Sequence, residues 1–120
     1  MRLSAELRDR TKQFASAVVR FYSALPDRPR ELDVLGHQLL RSGTSVAAHA
    51  REASRARSDA EFVSKLGGLL QEADESTLWL ELLIEDCDQD APKTRHLLKE
   101  ANELIAIFTT ILAKIRKNKA

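Results

Sequence analysis

Residues 31–57, ELDVLGHQLLRSGTSVAAHAREASRAR, decide the fold of this chain. Leu32, Leu35, Leu39, Val46 and Ala53 recur on one helical stripe, and Ser42 and His49 occupy rungs of that same stripe. Gln38, Ser42, Ser45, His49 and Glu52 follow a 4-3-4-3 spacing, so one flank of the core-facing side is polar. Buried polar groups cost free energy unless they are hydrogen-bonded. A strip of this length therefore needs organised partners on neighbouring helices or on another subunit. The pattern predicts a helix over about 31–57, with Gly43 inside it. A mid-helix glycine costs about 1 kcal/mol relative to alanine, so close backbone approach or a bend is expected there.

Working outward, Leu7, Thr11, Phe14, Val18, Phe21 and Leu25 form a heptad-like seam, predicting a first helix over about 4–25. The segment Pro26-Asp27-Arg28-Pro29 ends it, because proline removes a donor and disfavours helix at the residue before it. Ser58-Asp59-Ala60-Glu61 matches a capping box and starts a third helix over about 59–88. Phe62, Leu66, Leu69, Ala73, Ser76, Leu80, Leu83 and Cys87 are its inner stripe, with Gly67 and Gly68 side by side as a site for tight packing. Asp88-Gln89-Asp90-Ala91-Pro92 breaks the chain, with Asp90 as a cap before Pro92. A fourth helix over about 92–117 turns Leu97, Ala101, Leu104, Phe108, Ile111 and Ile115 inward. No strand pattern competes, and all three connections are short. The fold expected is a single all-α domain over 1–120, an antiparallel up-down-up-down four-helix bundle.

The chain has 120 residues, 43% of them hydrophobic, enough for one core. No apolar run approaches the ~20 residues that span a bilayer, and the first residues lack an apolar signal region. The single cysteine, Cys87, allows no internal disulfide and reads as a small core residue. A cytoplasmic location without membrane contact is expected.

The net charge of +1 hides a partition: +5 over residues 1–57, −9 over 58–90 and +5 over 91–120. Acidic and basic faces meet either between adjacent helices or between subunits, and they set orientation more than stability. Helix three also carries a second stripe, Gly68, Glu72, Glu75, Trp79 and Leu82, and Leu98, Ile105 and Leu112 widen the apolar arc of helix four. A bundle of this size needs about one apolar stripe per helix. The excess points to self-association. Gln38, Ser42, Ser45, His49, Glu52, Glu72, Glu75 and Trp79 are the candidates for a buried polar network or interface.

The order and spacing of several segments resemble a known family. They are Arg10 to Ala15, Gln38 to Ala53, Ala56 to Ser58 with Phe62 and Lys65-Leu66, Glu72 to Ser76, Trp79 to Leu83, and Glu100 to Ile105. Together they are similar to the four-helix bundle proteins encoded within intervening sequences of bacterial 23S rRNA genes. That family is similar in fold to the accessory protein of diversity-generating retroelements, a pentameric barrel that binds its reverse transcriptase and nucleic acid. The resemblance implies a ring-like homo-oligomer, most simply a homopentamer, without established enzymatic activity. It also implies RNA or DNA and a nucleic-acid-associated protein as partners. Where relatives carry Asn after the Ser-Val-x-Ala run, this chain has His49.

Three chemistries compete. A metal site could use His49 with Glu52 or Glu72 with Glu75, but no Glu-x-x-His occurs and no second histidine faces the first. Serine chemistry through Ser45 and His49 lacks an oxyanion hole and a strained turn, and back-bonding of the serines to helix carbonyls is the ordinary alternative. No phosphate loop, CxxC pair or dinucleotide fingerprint is present, so no catalytic residue, metal or cofactor is assigned. Nucleic-acid binding could use Arg41, Arg51, Arg55 and Arg57 on helix two, and Lys114, Arg116, Lys117 and Lys119 at the end of helix four. The competing reading pairs these arginines with helix-three carboxylates, favoured for Arg51 and Arg55. The functional expectation is a non-enzymatic homo-oligomeric binding scaffold. A protein-only adaptor is the alternative, and a metal-binding bundle ranks third.

Overall fold

Ser4 opens the first helix: its hydroxyl accepts the Leu7 N–H at 3.1 Å, satisfying a donor that the first turn leaves free. The computed structural model describes residues 2–27 and 29–119, the Lys119 side chain excepted. In it α1 runs Ala5–Ser23, α2 Arg30–Ser54, α3 Asp59–Asp86 and α4 Pro92–Lys119, with no strand among the described residues. Ser58 caps α3 in the same way, accepting the Glu61 N–H at 3.0 Å. The Glu61 carboxylate turns to Arg57, 3.7 Å away, instead of closing the box.

The helix ends depart from the pattern for local reasons. The N–H groups of Ala24 and Leu25, and of Arg55 and Ala56, each donate to a carbonyl three residues back. These tighter turns end α1 at Ser23, two residues before Leu25, and α2 at Ser54, before Arg57. Asp88 takes a left-handed φ of 57° and lets Gln89 N–H reach Leu83 C=O, so α3 stops at Asp86. Asp90, expected to cap α4, is instead gripped by Arg95 at 2.6 and 3.0 Å.

Each helix packs against its neighbour in sequence, and α1 closes on α4 over a shorter stretch, while among the described residues the backbones of the diagonal pairs stay more than 8 Å apart, Cα to Cα. The result is an antiparallel bundle measuring 49 × 21 × 21 Å. Phe14, Val18, Leu39, Val46, Leu66, Leu80, Leu104 and Phe108 fill its axis. On α4 the innermost residue of the last rung is Leu112, whereas Ile111 and Ile115, expected inward, are half-buried. A 3.6-residue turn drifts away from a 3.5-residue repeat over several turns, which explains the slip. Gly43 is a point of close approach: a Cβ there would lie 2.9 and 3.0 Å from the two Val18 methyls. Its twin expectation fails at Gly67, where nothing lies within 4 Å.

Arg10 ties the thin α1–α4 seam. Its guanidinium donates to Glu100 at 2.9 and 2.8 Å and to Glu103 at 2.9 Å. Those bonds hold the Glu100 carboxyl below the usual carboxylate range against an opposing effect of burial, and they raise Arg10 further. No helix among the described residues is long and apolar enough to cross a membrane.

Candidate functional site

Part of the polar strip of α2, at Ser42 and His49, is covered by α3 of the same chain. Ser42 is fully buried and shares a 2.8 Å hydrogen bond with Ser76, whose hydroxyl also reaches Glu72 C=O at 2.9 Å. Ser45 is half-buried and donates to Arg41 C=O at 2.8 Å. That back-bond leaves Ser45 and His49 without the contact a nucleophile and base need. The half-buried His49 ring lies on Gly68, where a Cβ would come within 2.9 Å of His49 Cε1. Gln38 is half-buried and accepts from Arg41 Nε at a long 3.4 Å. Arg41 also reaches Glu72 at 3.3 Å and Glu75 at 3.9 Å. Glu52 departs from the expected buried network: it is exposed at the end of the strip and binds Lys65 at 2.8 Å, which holds its carboxyl below the usual range. Two buried atoms of this seam, His49 Nδ1 and Trp79 Nε1, have no hydrogen-bond partner. Among the described residues no three His, Cys, Asp or Glu side chains converge as a metal-ligand set.

The basic residues divide in an unexpected way. Arg41 and Arg57 pair with α3 carboxylates. Arg51 and Arg55, expected to do so, make no ion pair among the described residues; they lie beside a cleft of about 1050 Å³. Ala5, Ala47 and Ala48 line it together with Arg8, Lys12, Arg51 and Arg55. Arg8 Nε is buried without a partner. Three carboxylates also line the cleft, but Glu52 is committed to Lys65 and Glu61 to Arg57, leaving Asp9. The cleft is therefore cationic.

Sequence reasoning missed Arg8 and Lys12. They share the i,i+4 spacing of Arg51 and Arg55 on the neighbouring helix, a signal that becomes meaningful once α1 and α2 are known to pack side by side. Lys114, Arg116 and Lys117 are exposed on the last turns of α4, at the same end of the antiparallel bundle as the α2 C-terminus, and the Lys119 side chain lies outside the described residues. Cys87 is half-buried, and burial raises its thiol, as do the charges of Glu31 and Asp86, leaving a poor nucleophile.

A family model described as 23S rRNA-intervening sequence protein matches residues 4–110. The crystal structure of a protein of unknown function from the S23 ribosomal protein family of Bacteroides thetaiotaomicron VPI-5482 is similar, with a TM-score of 0.80 and 34% identity. The match covers 88% of this chain and 97% of that one. No curated protein matches the chain.

Proposed function

This chain belongs to the 23S rRNA-intervening sequence protein family, and we propose that it acts as a non-enzymatic, homo-oligomeric scaffold that docks the phosphate backbone of structured RNA or DNA in its basic cleft. One observation carries this reading: Arg51 and Arg55 share a cleft with Arg8 and Lys12 and are not neutralised by ion pairs among the described residues. Guanidinium groups without ion pairs suit phosphate contacts, which position a nucleic acid without reading its bases. The cleft has no aromatic lining residue for stacking, which favours paired over single-stranded substrates. Lys114, Arg116 and Lys117 extend the same end of the bundle, and the location proposed is cytoplasmic.

Assembly is part of the proposal. Trp79 and Leu82, on the second stripe of α3, are only half-buried within the chain and leave apolar surface that a second copy would cover. A ring, most simply a pentamer, would repeat the basic cleft around an axis and multiply modest contacts. Native mass spectrometry at micromolar concentration tests this, and a monomer alone rejects it.

Gel shifts with a DNA or RNA duplex across a salt series test the docking. Each phosphate neutralised adds roughly −0.9 to the slope of log K against log salt on duplex DNA. Arg51→Ala with Arg55→Ala should weaken binding and flatten that slope by about 2. No retention at low salt rejects nucleic-acid docking and leaves a protein-only adaptor, for which Leu78, 46% exposed on the acidic outer face of α3, offers an anchor.

A further inference from the structure

We infer that Glu52 is a built-in competitor of phosphate in the basic cleft: it withholds Lys65 from a bound nucleic-acid backbone and so sets how tightly the cleft grips. The inference rests on the docking reading above and names the residue that tunes it.

Five cations line the cleft, and among the described residues Lys65 alone of them is ion-paired. Its Nζ donates to Glu52 Oε2 at 2.8 Å, from α3 to the last turn of α2. The two side chains are 35% and 46% exposed, so both face solvent and are within reach of a ligand in the cleft. Their hydrogen bond holds the Glu52 carboxyl below its usual range and the Lys65 ammonium above its own, so both are charged at neutral pH.

The neighbouring carboxylate, Glu61, acts differently. Its partner Arg57 comes from outside the cleft lining, 3.7 Å away and with a side chain 90% exposed. That pair offsets a negative charge and takes no cation from the cleft. Glu52 does the reverse. It occupies a cleft cation, and it stands next in the chain to Arg51 and three residues before Arg55. A phosphate can reach Lys65 only by displacing a charge-assisted hydrogen bond, whereas Arg51 and Arg55 ask for no displacement. A pair this exposed adds little to stability, so it can be removed without unfolding the bundle.

Fluorescence anisotropy of the full chain with a DNA duplex, across a salt series, tests the role. Glu52→Gln frees Lys65 for one more phosphate. The slope of log K against log salt should steepen by roughly 0.9, and affinity at 0.1 M salt should rise about five- to tenfold. Glu52→Gln with Lys65→Gln should return the slope to the parent's, because the freed ammonium is gone. Asp9→Asn removes a cleft carboxylate that holds no cation among the described residues, so it should tighten binding without steepening the slope. Asp9 and Glu52 are exposed, which leaves the core intact in these variants. A parent that fails to bind at low salt rejects the docking reading and this inference with it. Where the parent binds, an unchanged slope in Glu52→Gln, a steepening that survives in the double variant, or an equal steepening in Asp9→Asn overturns the role of Glu52 alone.

Discussion

Replacing Gly43 by alanine tests the packing of α1 on α2 directly. The added Cβ would stand 2.9, 3.0 and 3.2 Å from Val18 Cγ2, Cγ1 and Cβ, the first a distance real Cβ atoms essentially never adopt and the other two tighter than most of their contacts. Val18 is 0% exposed, and its branched side chain has essentially one rotamer in a helix, so it cannot swing aside. Relief must come from backbone shifts, and overpacking of this kind costs about 1–3 kcal/mol. Alanine returns about 1 kcal/mol of helix propensity. The net expected is about 1 kcal/mol of destabilisation and at most about 2 kcal/mol. For 120 residues each kcal/mol moves the melting temperature by about 4 °C, giving a fall of about 4 °C and at most about 8 °C. Gly67→Ala is the internal control: with nothing within 4 Å, only the propensity gain remains, and stability should rise by about 0.5–1 kcal/mol. Calorimetry at one fixed protomer concentration reads both, because assembly would otherwise shift the midpoint. In Val18→Ala the added methyl has room, so the double variant should recover about 1 kcal/mol relative to additivity. A Gly43→Ala protein that melts at or above the parent, or strict additivity with Val18→Ala, would refute the close-approach argument.

Two further outcomes follow from particular bonds. The Glu100 carboxyl has a lower folded than unfolded pKa because Arg10 donates to it, so its stabilisation is complete above the usual glutamate value of 4.5 and fades as pH falls through the lower folded value. Glu100→Gln should therefore cost up to about 1 kcal/mol at pH 7 after solvent screening, and thermal melts should show that cost shrinking in acid; a pH-independent difference contradicts it. Ser42→Ala removes one partner of a buried 2.8 Å pair but leaves Ser76 its bond to Glu72 C=O, so urea denaturation should show a loss of about 1 kcal/mol or less, with the double Ser42→Ala/Ser76→Ala change less than additive.

The bundle was legible because its evidence is local. Ser4 and Ser58 act on N–H groups within their own first turns, prolines break helices where they stand, and the stripe from Leu32 to Ala53 follows from the pitch of one helix. The buried Ser42 was also readable, since its rung was already assigned to the core. Legibility failed where two helices had to be set against each other. Arg41 and Arg51 look alike along α2, yet one meets Glu72 and Glu75 and the other faces the cleft beside Arg8.

Amino-acid order alone therefore settles how many helices form, roughly where they stop, and which edge of each is apolar, because those properties depend on contacts a few residues apart. The rotation and separation of neighbouring helices settle the rest. Gly67 and Gly68 are identical neighbours, but the His49 ring reaches only the second. Ion pairing and steric fit fall off within a few ångströms, and only the assembled tertiary structure brings residues distant in the chain to that range.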